Sequence, residues 1–485
     1  MVRVESVRGW IMKLGQTSVV HLVSRLGVSV VGFVATVYLA RELGSETLGT
    51  YFLVVSVLYW FVVFGDFGTT AAVRKRLSER DSSGGILTAG IVLQAGLFLG
   101  ASIVILIVRP VLNNYLDARV ALWVVGMLLA KLSFDFVLVI LEGQHKVHLS
   151  SLLEPLDRTV RSGVQILLVV VGSGLVGLLI GYLAGAAVAI VVGAYLARIH
   201  LELPDLDDFR SLVSFARYAW LGTIKGRAFL SMDTIVLGFF AATNSVIGIY
   251  EIAWNIATIF AIFGNSVNKA IFPEISSLDE NQTERISDLT SASVAYGGIF
   301  LIPGLVGAVL VGDVVLSIYG REFADGATVL VVLTVSQLVY VYEEQFITVL
   351  AAMDYPRNIF RINTVFLVTN LGLNLLLVPS IGWLGAAIAT TGSAAVGLVL
   401  SYWNLRRILS FDLPVGELLR QTVAALAMGG VVYLGRTALG DTFLVVIPLI
   451  GVGAGVYFFA LLGLSTQFRT TVLDNLPTET VLGER

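Results

Sequence analysis

The sequence predicts an all-α integral membrane protein. Fourteen transmembrane helices form two pseudo-symmetric six-helix lobes, with two more helices at the C-terminal end. Three observations predict this. The 485 residues are 56% hydrophobic and only 13% charged, with a mean hydropathy of +0.88. A soluble domain carries about 25% charged residues, so this chain cannot cover a water-facing surface. Fourteen stretches reach the roughly 20 apolar residues that a crossing helix needs, and one of these stretches is written twice.

The expected spans are 18–40, 47–65, 86–108, 120–141, 152–172, 174–196, 213–239, 246–270, 288–311, 327–351, 360–378, 382–404, 417–435 and 442–463. The most charged are 152–172 and 213–239. Residues 1–17 read as a retained, amphipathic, basic lead-in, because no small-residue cleavage site follows a short apolar core. The N-lobe then covers 18–200, a cytoplasmic linker 201–212 and the C-lobe 213–408. The last two helices lie within 409–464, and a cytoplasmic tail covers 465–485.

Basic residues set the orientation. With the N-terminus in the cytoplasm, eighteen Lys and Arg fall in inside segments, among them Arg3, Arg74, Lys75, Arg198, Arg357, Arg361, Arg406 and Arg407. Five fall outside: Arg41, Arg109, Arg119, Arg321 and Arg436. The chain is therefore expected in the cell membrane, multi-pass, with both termini cytoplasmic.

Several chemistries find no support. The chain has no cysteine, which excludes disulfides and thiolate chemistry. It has no G-x-x-x-x-G-K-[ST] phosphate loop. "DLDD" at Asp205–Asp208 contains an Asp-x-Asp spacing but reads as a solvated connector. "HKVH" at His145–His148 reads as a cytoplasmic turn with incidental histidines. The Asn281 "NQT" acceptor falls on the cytoplasmic side. A net charge of −3 gives no reason to expect nucleic acid. No catalytic residue, metal or cofactor is expected.

The duplicated stretch is "LGTYFLVVSVLYWFVVFGDFG" from Leu48, which returns as "IGIYEIAWNIATIFAIFGNSV" from Ile247. Ungapped, Gly49, Tyr51, Phe61, Phe64 and Gly65 fall on Gly248, Tyr250, Phe260, Phe263 and Gly264. A second pair, "GLVGLLIGYLAG" from Gly174 and "GWLGAAIATTGS" from Gly382, follows in the same order. Six spans per unit is even, so the repeats run in the same direction about an axis along the membrane normal, and a cavity is expected between them. Such a plan suits a transporter whose lobes rock.

Polar residues inside spans are costly and should face that cavity or a partner. His21, Arg25, Ser29, Gly32 and Thr36 lie on one helical face, as do Thr223, Arg227, Ser231, Thr234 and Gly238. At an offset of 202, Arg25 falls on Arg227 and Ser29 on Ser231; at the 199 offset of the next span, Arg25 falls on Ile224, beside Lys225. Arg25 lies about 10 Å from the cytoplasmic side at 1.5 Å per residue, and Lys225 stands beside Arg227 on the matching helix. Glu251, Asn255, Thr258 and Asn265 form another stripe, and Asn363, Asn370 and Asn374 a third. The expected cavity lining is Arg25, Lys225, Arg227, Ser29, Ser231, Glu251 and Asn255. Asp233, Glu343, Glu344, Lys131 and Asp135 are candidates for coupling or gating. The i, i+4 pairs Lys131/Asp135, Glu154/Arg158 and Asp157/Arg161 also have a structural reading as self-neutralising pairs. Arginine binds phosphate in a fork, so cations on this side suit a phosphate or pyrophosphate arriving from the cytoplasm.

Five stretches carry a family resemblance: "RELGSETLGTYFL" (Arg41–Leu53), "VIGIYEIA" (Val246–Ala253), "AIFPEISSL" (Ala270–Leu278), "IPGLVGAVLVGDVVLSIYGREF" (Ile302–Phe323) and "NLGLNLLLVPSIGWLGAAIAT" (Asn370–Thr390). In order and spacing, over about residues 10 to 410, the chain resembles the oligosaccharide, or polysaccharide-biosynthesis, flippases of the multidrug/oligosaccharidyl-lipid/polysaccharide exporter superfamily. The resemblance implies two six-helix lobes plus two helices. It also implies movement of a lipid-linked oligosaccharide, on a polyprenyl phosphate or pyrophosphate, from the cytoplasmic to the outer leaflet by alternating access. Partners would then be the lipid-linked glycan, membrane lipids, and glycosyltransferases or a polymerase of the same pathway. A drug/cation antiporter and a peptidoglycan-precursor flippase of the same superfamily stay open as alternatives. The basic residues argue against the first, while Asp233 and Glu251 keep it in play.

Overall fold

The structure is a computed structural model that describes residues 2–79, 84–197, 199, 201–240, 243–279 and 282–474; side chains are described from Gly32 onward, except at 218–219, 221–223 and 471–474. The secondary structure described is all helical. The chain divides into two compact units, Met1–Arg227 with Thr243–Gly248, and Ala228–Ala242 with Ile249–Arg485.

Unit 1 contains α1 (Val2–Asp66), α2 (Thr69–Glu79), α3 (Gly84–Ile107), α4 (Arg109–Tyr115), α5 (Ala121–Gly143), α6 (Val147–Val170) and α7 (Gly174–Ala197). It also holds the first part of α8 (Leu206–Phe240) and the first turn of α9 (Asn244–Ser276). The range of α1 covers the expected first and second spans, and it is two helices that meet at a kink. At Gly44 the backbone leaves the helix (φ 75°, ψ 171°), a conformation that glycine reaches without a Cβ clash, between the expected spans 18–40 and 47–65. The helix α2 has no counterpart among the expected spans, being short and amphipathic. Its Thr69, Ala72, Val73 and Leu77 are buried, and Asp66 accepts hydrogen bonds from the backbone N–H of Gly68 (3.0 Å) and Thr70 (3.1 Å) at its start. The expected linker 201–212 contains the opening turns of α8, where Asp208 accepts from the Asp205 N–H at 3.1 Å.

Packing of α6 on α7 shows how polar side chains are tolerated at membrane depth. Gly181 and Gly185 let α7 approach α6 where a Cβ would strike Gln165 and the Asp157 carbonyl. Gln165 donates to the Leu178 carbonyl at 2.9 Å and to the Tyr51 hydroxyl at 3.2 Å. Of the two ion pairs expected in α6, Asp157–Arg161 forms at 2.6 Å, with the guanidinium 4.0 Å over the Tyr182 ring. Glu154 and Arg158 are exposed.

Unit 2 contains the rest of α8 and α9, then α10 (Thr283–Gly297), α11 (Leu301–Ser317), α12 (Ala327–Ala352), α13 (Pro356–Arg406), α14 (Val415–Leu439), α15 (Phe443–Leu464) and α16 (Thr466–Asp474). A break at Ile381 and Gly382 (φ 60°, ψ −138°) folds α13 into two arms. Asn370 donates to Thr390 (3.2 Å) and Ser393 (3.0 Å), and Asn358 to Asn404 (2.9 Å). As one partner rises in number the other falls, so the arms are antiparallel. One core cluster joins α11, α14 and α15 through Val311, Val314, Ala424, Met428, Val432, Leu449 and Tyr457. A second gathers Phe346, Leu350, Ile362, Leu405 and Phe411.

Among the described residues, ten helices are long and apolar enough to cross a membrane. Exposed residues such as Ile107 (73%), Val191 (70%) and Phe459 (77%) are apolar, as a lipid-facing surface requires. This is a multi-pass membrane protein.

Candidate functional site

In unit 1 a polar cavity of about 280 Å³ is lined by Val62, Val63, Asp66, Thr70, Arg74, Asp135, Leu138, Val139, Glu142 and Arg227. The ends of α1 and α5, the start of α2 and the middle of α8 supply these side chains. Arg74 pairs with Glu142 at 3.1 Å, and Lys131 donates to Asp135 at 2.6 Å. The Arg227 guanidinium lies 4.3 Å over the Tyr59 ring. Lys225 is buried, at 4% exposure. The cavity thus holds guanidinium donors and carboxylate acceptors together, a lining that can bind phosphate oxygens and sugar hydroxyls alike. The sequence singled out Arg227 and Asp135 separately; their common cavity needed the fold.

A second constellation lies in unit 2. Asp233, 4% exposed on α8, accepts from the Tyr250 hydroxyl and from the Asn374 amide at 3.0 Å, and the Thr390 hydroxyl lies 2.7 and 2.8 Å from its two oxygens. Asn374 also donates to the Asn370 carbonyl at 3.1 Å. The residue after Asp233, Thr234, donates to Glu251, and Ser231 is buried. Several donors compensate the desolvation of the Asp233 carboxylate, so it can persist at membrane depth. Phe229 stacks on Tyr340 at 3.6 Å and 10° just before this group on α8.

The remaining expected residues scatter. Asn255 is exposed. Glu343 is fully buried on α12, where Gly397 of α13 makes room for its carboxylate, and Glu344 is half-buried. Arg25 and Ser29 belong to α1, but their side chains lie outside the described residues, as do those of His21 and Thr223. Residue Asn281 also lies outside them. Tyr250 and Thr390 were not singled out as partners of Asp233. The asparagine stripe at Asn370 and Asn374 was the available signal.

Unit 2 also has a partly open apolar pocket of about 210 Å³ among α9, α11, α12, α14 and α15. Phe260, Phe300, Gly304, Gly307, Val311, Met428, Val432, Ile450 and Phe458 are among its lining residues.

The family model for "polysaccharide biosynthesis protein" matches residues 14–279. A probable flippase of Haloferax volcanii, AglR, is 35% identical over 468 residues, covering 95% of this chain and 98% of that protein. The probable low-salt glycan biosynthesis flippase Agl15 of the same organism is 28% identical over 96% of this chain and 99% of its own length. Among solved structures, the lipid II flippase MurJ in an inward closed conformation is similar in fold, with a TM-score of 0.80 at 16% identity over 94% of this chain and 100% of that one. An inward-facing multidrug resistance MATE transporter aligns with a TM-score of 0.58 at 16% identity, over 80% of this chain and 98% of that one.

Proposed function

The chain belongs to the polysaccharide biosynthesis protein family, and from that premise we propose that it is a flippase. It carries a lipid-linked oligosaccharide from the cytoplasmic to the outer leaflet by alternating access of two six-helix lobes. It is a transporter, not an enzyme. The observation that carries this reading is the end-to-end likeness to a flippase, 35% identical over 95% of the chain. The charged lining of the cavity in unit 1 suits the sugar-phosphate head of such a cargo.

In this reading Arg227, with Arg25, Lys225, Ser29, Ser231, Glu251 and Asn255, receives the headgroup. Asp233, Lys131, Asp135, Glu343 and Glu344 serve coupling or gating. An anion leaving an inside-negative cell gains about 2.3 kcal/mol per charge per 100 mV, so a pyrophosphate with two charges gains about 4–5 kcal/mol. Fourteen crossings are our count. Supporting it are the ten long apolar helices, the breaks inside α1 and α13, and the span-length but more polar α6 and α8. Both termini are placed in the cytoplasm on the distribution of basic residues. Glycosyltransferases or a polymerase of the same pathway are proposed partners.

A deletion strain tests the reading. Lipid-linked glycan should accumulate on the cytoplasmic leaflet, and a plasmid copy of the gene should clear it. Normal surface glycan in the deletion strain would overturn the proposal.

A further inference from the structure

The two ends of α13 carry four exposed arginines: Arg357 and Arg361 where it begins, Arg406 and Arg407 where it stops. Because the arms are antiparallel, these ends meet, and the Asn358–Asn404 hydrogen bond of 2.9 Å ties them together. Arg357 and Arg361 are four residues apart and share one helix face. Among the described residues no carboxylate comes within ion-pair distance of any of the four. The acids flanking them in sequence, Asp354 and Asp412, are exposed. Arg406 donates to the Phe411 carbonyl at 2.5 Å, and Arg407 lies 3.6 Å over the ring of Trp403.

Apolar surface adjoins this charge at once. Phe360 is 54% exposed between Arg357 and Arg361, and Trp403 is 53% exposed under Arg407. Val399, one turn further along, is 64% exposed. A half-exposed tryptophan with a cation over its face and further cations nearby is the arrangement that membrane–water boundaries select. A ligand that satisfies the whole group needs an anionic head with several oxygen acceptors and apolar chains beside it. A small soluble anion would leave Phe360 and Trp403 uncovered. A protein partner would have to displace lipid from a span.

We propose that this arginine group, with Trp403 and Phe360, is a binding site for the phosphodiester headgroup of an anionic membrane lipid. The guanidinium forks take the phosphate oxygens, and the acyl or isoprenoid chains lie along the α13 face at Phe360 and Val399. The proposal needs only that α13 spans a membrane, and so it stands apart from the flippase reading.

Fluorescence quenching in nanodiscs tests it. The purified protein is placed in phosphatidylcholine discs that contain a fraction of phosphatidylglycerol. The bromine label sits on the chains of one lipid or of the other. Subtracting the Trp403→Phe signal isolates Trp403 from the other six tryptophans. Brominated phosphatidylglycerol should quench Trp403 several-fold more than the same amount of brominated phosphatidylcholine. The triple change Arg357→Gln, Arg361→Gln and Arg407→Gln should abolish the difference, and Arg357→Gln or Arg361→Gln alone should reduce it. The single variants keep the test informative if the triple one does not fold. Equal quenching by the two lipids in the wild type overturns the proposal, as does a preference that no substitution reduces. Loss of the preference on adding millimolar inorganic phosphate would assign the group to free phosphate and overturn the lipid assignment.

Discussion

Gly49 and Gly248, matched positions of the duplicated stretch, pack backbone against backbone. A Cβ on Gly49 would come 2.9 Å from the Gly248 nitrogen, and one on Gly248 would come 3.1 Å from the Gly49 nitrogen. Around them Ser45 and Ser245 share a 2.5 Å hydrogen bond, and the Asn244 amide donates to Thr50 at 2.9 Å. The opening residues of the two copies, Gly49 and Gly248, thus meet within unit 1.

Substitution of either glycine should therefore destabilise. Gly49→Ala would also strike the Asn244 carbonyl, and backbone cannot yield as a side-chain tip can. We expect a loss of about 1–3 kcal/mol, the range for overpacking, seen as a lower melting temperature in detergent. Gly163→Ala, at a glycine with open space around it, should leave melting unchanged and serves as the control. Equal behaviour of the two variants would show that the contact is not close.

Glu46 caps α9 from α1. Its two carboxylate oxygens accept from the Asn244 N–H at 3.2 Å and the Ser245 N–H at 2.9 Å, satisfying donors that no helix can satisfy for itself. Glu46→Ala should cost about 0.5–2 kcal/mol, as loss of a cap does, and Glu46→Gln should cost less because it keeps one acceptor. Thermal unfolding of the three proteins side by side measures this. Indistinguishable curves would remove the cap from the list of stabilising contacts.

Lys131 and Asp135 can be dissected by a double-mutant cycle. Removing one partner of a partly buried pair strands the other charge, whereas removing both does not. Lys131→Met alone should destabilise by about 1–3 kcal/mol, and Lys131→Met with Asp135→Leu should recover most of that. If the double variant is no better than the single, the pair is not the reason for either charge.

Asp233 should separate folding from transport. Asp233→Asn is close in shape and keeps a carbonyl oxygen for Tyr250, Thr390 or Asn374, so melting should change little. Glycan export should fall by about tenfold or more, equivalent to about 1.4 kcal/mol on the transport barrier. A rate assay in vesicles with equal protein levels decides it. Full export by Asp233→Asn would relieve this carboxylate of any coupling role.

The sequence made some of this legible for definite reasons. Composition settles the fold class, since a chain with 13% charge can only bury its surface in lipid. Lys131–Asp135 and Asp157–Arg161 could be paired on paper because a helix brings i and i+4 together. Backbone direction was harder. Separate apolar stretches were expected on either side of Gly44 and at Gly382, and the structure breaks the helix at both, but apolar length does not give the angle at which two arms meet. The partners of Asp233 were out of reach for another reason: Tyr250, Asn374 and Thr390 lie 17, 141 and 157 residues away, and helical periodicity says nothing about such distances. Short α2 and α4 escaped because neither is long enough to produce a span signal.

The most direct measurement of lipid-linked glycan transport uses Arg227. Vesicles are loaded with the purified protein and a lipid-linked oligosaccharide, and the fraction of glycan accessible on the far leaflet is followed with time. Wild-type protein should move the glycan, Arg227→Lys should move it more slowly, and Arg227→Ala should fall by about tenfold with protein content unchanged. No movement by the wild type beyond that of protein-free vesicles, with or without an imposed potential, would contradict the assignment of this chain as a flippase.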